Sequence, residues 1–230
     1  MINANEQRVC PVENAGSLDN VFRKWLQNPE KILRPYIQPG MSVMDFGCGP
    51  GFFTMEMAQM VGEGGKVFAV DLQEGMLQKL KEKIRLTELE NRIQPHQCKE
   101  SGIGVSESLD FVLAFYVVHE VPDQEAFFHE LKSIVQPGGK VLVAEPPFHV
   151  SKKVFHKCLQ KARKAGFNVE KGPSVVLSKT ALLSTDQYAC SKKEKQDNSS
   201  NQSIIYHESA VQYESDMKKN FIINMNKCVV

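Results

Sequence analysis

Nowhere in this chain does an uninterrupted apolar run approach the roughly 20 residues needed to cross a bilayer. The first eight residues, Met1 to Arg8, are polar where a signal peptide would carry an apolar segment. Both absences argue against a membrane span and predict a cytoplasmic protein. Charge imbalance is lacking too. The 28 Lys and Arg against 27 Asp and Glu leave a net charge of +1, too weak a field to point to nucleic acid or an anionic membrane as partner. Six cysteines stand at 10, 48, 98, 158, 190 and 228 with no C-x-x-C pair and no close histidine at zinc spacing, so no metal centre is expected. Cys10, beside Pro11, is the one thiol in a segment able to fold over a site. There is no internal repeat. A 230-residue length with 42% hydrophobic residues fits one globular domain with appendages.

What is present is an ordered alternation of strand-like and helix-like runs, which argues for a parallel sheet covered by helices on both faces. After the Pro39-Gly40 turn a strand is expected from Met41, then a helix from about 52 to 61 that stops at Gly62-Glu63-Gly64-Gly65. Strands near 66–71, 92–98, 110–116 and 140–144 follow. Between them lie a helix from about 74 to 86, with Met76, Leu77, Leu80 and Ile84 on one face, and another after Pro122, capped by Asp123. A helix from 151 to 165 leads to two β-like runs near 168–170 and 175–183. Upstream, residues 18–37 show a helical spacing interrupted at Asn28-Pro29. The expected organisation is an N-terminal helical segment, 1–37, a central domain, 38–184, and a polar tail, 185–230. Within that tail Ser191 to Ser203 holds no apolar residue, so it reads as a disordered linker. The apolar islands at Ile204-Ile205-Tyr206 and Phe221-Ile222-Ile223 beyond it have no enzymatic pattern.

The most informative segment is Val43-Met44-Asp45-Phe46-Gly47-Cys48-Gly49-Pro50-Gly51-Phe52-Phe53-Thr54, a buried strand running into a glycine turn that opens a helix. Glycines at 47, 49 and 51 suit a backbone that approaches a ligand closely. A dinucleotide pyrophosphate on that helix N-terminus is disfavoured by the Asp45 carboxylate at the mouth of the turn, and the third glycine of G-x-G-x-x-G falls on Phe52. Asp71 ends the second strand and is placed to accept hydrogen bonds from ribose hydroxyls. The site therefore wants a ribose and a positive centre, with no diphosphate.

With these two motifs the chain resembles the class I S-adenosylmethionine-dependent methyltransferases, in the small-molecule branch that includes ubiquinone and menaquinone biosynthesis enzymes. The resemblance continues through Leu109 to Asp123, a strand and His-containing turn, and Leu131 to Glu145, a helix, Pro-Gly-Gly turn and fifth strand. It implies a Rossmann-like, doubly wound α/β fold with a seven-stranded, mostly parallel sheet whose last strand is antiparallel. It also implies S-adenosylmethionine as cofactor. Asp45 would sit near the methionine amino group, and the amides of Gly47, Cys48, Gly49, Pro50 and Gly51 would line its amino-acid end. Asp71 would hold the ribose, Leu72 would pack on adenine, and Ala114 and Phe115 would end the fourth strand facing the sulfonium. Where relatives carry an Asp beside adenine this chain reads Cys98-Lys99-Glu100, which makes Lys99 the candidate there.

Methyl transfer from a sulfonium needs few catalytic groups beyond positioning. His119 is the candidate base for an attacking oxygen, nitrogen or activated carbon, with Glu120 and Tyr116 as weaker candidates; a histidine that only orders the turn is the competing reading. No Asn/Asp-Pro-Pro-Tyr signature for a planar amino group is present, nor a Pro-Cys nucleophile after strand four, which leaves a small-molecule acceptor such as a quinone-like, lipid or thiol compound. The lysines and arginine between 152 and 164 read as a solvated helix face. A nicotinamide oxidoreductase and a non-catalytic S-adenosylmethionine-binding protein are the alternatives, and the oligomeric state is left open.

Overall fold

Central strands buried along nearly their whole length, as in a sheet covered on both faces, set the architecture. The computed structural model describes residues 27–186 except 148 and 177; Cys10, residues 18–26 of the N-terminal helical pattern and the polar tail from 187 onward lie outside the described residues. β1 (Ser42–Phe46), β2 (Lys66–Asp71), β3 (Ile93–Gln97), β4 (Leu109–Phe115), β5 (Val135–Glu145), β6 (Asn168–Lys171) and β7 (Lys179–Ser184) form one sheet in the order β3-β2-β1-β4-β5-β7-β6. The pairs among β1 to β5 are parallel, and β7 is antiparallel to both β5 and β6. Among the described residues five helices surround it: α1 (Pro29–Leu33), α2 (Thr54–Val61), α3 (Glu74–Ile84), α4 (Gln124–Ile134) and α5 (Lys152–Lys164), with a 3₁₀ turn at Val118–Glu120.

Each strand sends alternate side chains to opposite faces, so the sheet carries two cores. Met44, Phe46, Val70 and Val112 join Phe128 and Leu131 of α4 and Phe155 and Ala162 of α5. Val43, Val67, Ala69 and Leu113 join Met57 and Val61 of α2 and Leu77, Leu80 and Ile84 of α3. Leu80 and Leu131 are fully buried, each worth about 1.5–3 kcal/mol of transfer free energy. Caps fall where side-chain chemistry places them. The Asp123 carboxylate accepts from the N–H groups of Glu125 and Ala126, both at 3.0 Å, and the Ser151 hydroxyl accepts from Val154 at 3.2 Å.

Three expectations are corrected in detail. Asn28-Pro29 does not merely interrupt a helix; Asn28 caps α1 by accepting from the Lys31 N–H at 3.1 Å and Pro29 starts it. β5 begins at Val135, five residues before the expected strand, and includes the Pro-Gly-Gly segment with a register shift against β4 between Leu109 and Phe111. β7 starts at Lys179 rather than Val175, because the Ser178 N–H bonds back to the Val175 carbonyl at 3.0 Å instead of joining the ladder. Thr185 and Asp186 still bond back, Thr185 Oγ1 to the Gln136 carbonyl at 2.5 Å and Asn168 Nδ2 to Asp186 at 2.8 Å.

Candidate cofactor and active site

β1 lies between β2 and β4, so the chain winds outward to β3 and then returns to the opposite side of β1. That reversal opens a crevice at the C-terminal ends of β1 and β4, the usual ligand position in a doubly wound sheet. The loop after β1, Asp71 at the end of β2, the turn after β4 and Glu145 at the end of β5 all belong to that edge.

The glycine turn is tied to β2 by the N–H groups of Gly47 and Cys48, which donate to the Val70 carbonyl at 2.8 and 3.0 Å. Its glycines divide by role. A Cβ on Gly47 (φ +74°) would lie 2.5 Å from Val117 Cγ2, and one on Gly51 (φ +88°) 2.5 Å from Leu80 Cδ1. Only at Gly49 (φ +53°) would it meet nothing within 4 Å. The chain's own side chains therefore fill two of the three places expected to face a ligand, and Gly49 alone is an open cradle. Gly47→Ala is expected to destabilise the fold by about 1–3 kcal/mol through overpacking and backbone strain. Gly49→Ala should cost only the backbone term of about 1 kcal/mol yet weaken S-adenosylmethionine binding. Paired denaturation and calorimetry check this, and equal stability losses in the two variants would refute the division.

Cys48 contributes no side chain to the crevice: its thiol is buried and lies 3.4 Å from the Gly49 carbonyl. Burial, then the charges of Asp45 and Asp71, push that thiol well above its ordinary pKa, so it stays a neutral S–H. The Pro50 carbonyl accepts from Lys83 Nζ at 2.7 Å, which pins the turn to α3. Asp45 is 2% exposed and accepts from Thr54 Oγ1, at the start of α2, at 2.6 Å. Its carboxylate ties the end of β1 to the start of α2.

Asp71 is the hub. One carboxylate oxygen accepts from the Gly49 N–H at 2.8 Å and the other from Gln73 N–H at 2.9 Å, leaving acceptor sites on both oxygens. Burial raises its pKa above the ordinary value, and the N–H groups of Gln73, Gly49 and Leu72 offset part of that rise. Leu72 is half-buried against the α4-side core. Lys99 is exposed, at one end of a tight turn in which its N–H and carbonyl pair with Gly102, both at 3.1 Å. Glu130 of α4 holds that turn through the N–H groups of Ile103 and Gly104.

At the end of β4, Ala114 is fully buried, so its backbone is what it can present. Phe115 packs against Phe53 with centroids 4.5 Å apart. Tyr116 then takes φ +62°, an uncommon conformation for a bulky residue that marks strain. Its hydroxyl meets Ser178 Oγ at 2.5 Å and Gln27 Nε2 at 2.9 Å, joining the segment before α1 to the β6–β7 connection.

His119 is a quarter exposed, and its Nδ1 lies 2.6 Å from Glu145 Oε2. The other Glu145 oxygen accepts the His119 backbone N–H at 3.0 Å. Burial works against protonation of His119, but the hydrogen bond and charge of Glu145, with the charge of Glu120, outweigh it and raise its pKa. Glu145 is 1% exposed and was absent from the sequence-derived candidates. Its signal was available: it is an acid ending a buried strand, the argument that singled out Asp45 and Asp71.

The donors and acceptors gathered here fit S-adenosylmethionine. Asp71 keeps acceptor capacity on both oxygens, and Gly49 leaves open space above the turn. The model of a methyltransferase domain matches residues 37–220. Demethylmenaquinone methyltransferase of Bacillus mycoides is 30% identical over 123 residues, 54% of this chain and 51% of that one. The ubiquinone/menaquinone biosynthesis C-methyltransferase of a Shewanella species is 27% identical over 122 residues, covering 51% of this chain and 49% of that one. The chain thus spans about half the length of these curated relatives. The solved SAM-dependent methyltransferase of Aquifex aeolicus superposes with a TM-score of 0.67 at 25% identity, over 76% of this chain and 97% of that one. This chain belongs to the methyltransferase-domain family and carries the Rossmann-like fold of its S-adenosylmethionine-dependent members.

Proposed function

We propose that this protein transfers the methyl group of S-adenosylmethionine to a small-molecule acceptor, with His119 as general base and Glu145 positioning it. The observation that carries this reading is the His119–Glu145 pair, an imidazole held through Nδ1 by a buried carboxylate at the edge where Asp71 and Gly49 also gather. Bound S-adenosylmethionine supplies the methyl as an activated electrophile on a sulfonium, which leaves the chain to hold, orient and exclude water. Asp71 takes the ribose hydroxyls, Asp45 the charge of the amino group, and the Gly49 turn admits the amino-acid end. With Nδ1 donating to Glu145, the neutral imidazole keeps the Nε2 lone pair for a proton from the acceptor, and that nitrogen has no partner among the described residues. The Glu145 carboxylate then stabilises the imidazolium. Phe53 and Phe115 add apolar surface beside the turn. The names of the curated relatives support a cyclic, quinol-like acceptor whose ring oxygen or carbon must lose a proton.

Ligand binding tests the cofactor. S-adenosylmethionine and S-adenosylhomocysteine, but not NAD, are expected to raise the unfolding midpoint, by the equivalent of about 2.7 kcal/mol at a ligand concentration 100 times Kd. A folded sample that shows no shift at millimolar S-adenosylmethionine would refute the reading.

A further inference from the structure

The basic cluster on α5 is not one solvated face. Lys161 Nζ reaches Gln124 at 3.2 Å and Lys164 Nζ reaches Glu125 at 3.4 Å, which commits that side of the helix to α4. Lys152, in the first turn, instead borders a cavity of about 410 Å³ between α5 and the β6–β7 connection. Across that cavity stands Lys171, the last residue of β6, with His156 and Lys179 also on the wall. No Asp or Glu among the described residues lines it. Lys152 and Lys171 have no hydrogen-bond or ion-pair partner among the described residues. A helix start normally favours acids, but the first turn of α5 holds none, so its positive end adds to the lysines rather than being neutralised. The floor is apolar, formed by Phe155, Leu159 and Val175.

Two contacts join this cavity to the catalytic edge. Ser178 in its wall is the residue bonded to the Tyr116 hydroxyl, and Lys179 Nζ donates to the Pro147 carbonyl at 3.2 Å, two residues beyond Glu145. From this arrangement we infer that the cavity binds an anionic substituent, a phosphate or carboxylate, carried by the methyl acceptor, with Lys152 and Lys171 holding the charge and the apolar floor taking the adjoining ring. The inference rests on the acceptor reading above and narrows it to acidic cyclic compounds. Two lysines on the lining of one cavity offer an anion charge-assisted hydrogen bonds.

Binding of phenyl phosphate, inorganic phosphate and phenol to the full chain, followed by amide chemical shifts, tests it without any methyl transfer. Phenyl phosphate is expected to shift Gly172, Ser174, Ser178 and Lys152 and to bind about tenfold tighter than inorganic phosphate, with phenol weaker than both. The double variant Lys152→Ala/Lys171→Ala should weaken phenyl phosphate about tenfold or more, and Lys152→Arg/Lys171→Arg should restore it. Both variants change exposed side chains and should keep the wild-type unfolding midpoint and S-adenosylmethionine affinity. Unchanged phenyl phosphate affinity in the alanine variant, or shifts spread evenly over Lys140 and Lys164, would overturn the site. Equal affinity for inorganic and phenyl phosphate would mean a free-anion site and overturn the acceptor assignment. Loss of S-adenosylmethionine binding would instead strike the methyltransferase reading, leaving the cavity result intact.

Discussion

Replacing His119 with alanine is expected to lower turnover about 10²-fold or more, the usual effect of deleting a general base, while S-adenosylmethionine affinity stays within about twofold. The split arises from position. His119 is held from the β5 side by Glu145, whereas the groups fitted to the cofactor lie at the ends of β1 and β2. The substitution has a structural cost as well, because the buried Glu145 carboxylate loses its ring donor and keeps the His119 backbone N–H, a loss of about 1–3 kcal/mol. His119→Gln separates the two effects: an amide donor can restore part of the stability, but it cannot take up a proton near neutral pH. If His119 only orders the turn, His119→Gln should recover turnover along with stability. Full activity in His119→Ala would remove the residue from the mechanism.

Glu145→Gln gives a second reading of the same pair through pH. His119 must be neutral to act as base, so turnover should rise with pH through its pKa, which lies above the ordinary 6.5. Removing the Glu145 carboxylate leaves burial, which lowers that pKa, against the remaining charge of Glu120; the exposed His149 ring lies 6.4 Å away, centroid to centroid. The acidic limb should therefore move to lower pH while maximal turnover falls, because the imidazole loses its orienting acceptor. Stability follows the opposite sense. A histidine whose folded pKa is raised stabilises most fully below its unfolded pKa, and that contribution disappears as pH rises through the folded value. The variant should lose this pH dependence of its unfolding midpoint, and an unmoved pH–rate profile would exclude Glu145 as the positioning residue.

Most of the scaffold was legible because each element carries its own local signal. The Gly62 to Gly65 stop, the Asp123 and Ser151 caps and the apolar stripe Met76-Leu77-Leu80-Ile84 fix helices to within two residues. The acids ending β1 and β2 were legible because burial of a charge at a strand end needs a reason. What remained hidden depends on neighbours distant in sequence. Glu145 meets His119 only because β4 and β5 pair, Ala144 opposite Phe115. The roles of Gly47 and Gly51 are decided by Val117 and Leu80, which the turn itself does not specify. β7 begins where Lys179 comes into register with Glu145, so the β-branched Val175 and Val176 gave a false start. The partition of the α5 lysines required knowing that α4 lies along one side of that helix and the β6–β7 connection along the other.

Asp71→Ala should weaken S-adenosylmethionine binding by about 1.5–3 kcal/mol, roughly 10- to 150-fold, the range for losing hydrogen bonds to a charged acceptor. Two causes contribute, and they can be separated. The proposed ribose contact of Asp71 is direct, and its carboxylate also fixes the N–H groups of Gly49 and Gln73, so alanine both deletes an acceptor and releases the glycine turn. Asp71→Asn keeps one oxygen acceptor and loses the charge. If ribose contacts dominate, Asp71→Asn should also weaken binding, and 2′-deoxyadenosylmethionine should discriminate wild type from variant less than S-adenosylmethionine does. If turn fixation dominates, the weaker binding should be accompanied by faster amide exchange at Gly49 and a lower unfolding midpoint, with the same ratio for ribose and deoxyribose ligands. Calorimetry with both ligands on both variants measures the partition, and an unchanged affinity in Asp71→Ala would show that the second-strand acid does not hold the nucleoside.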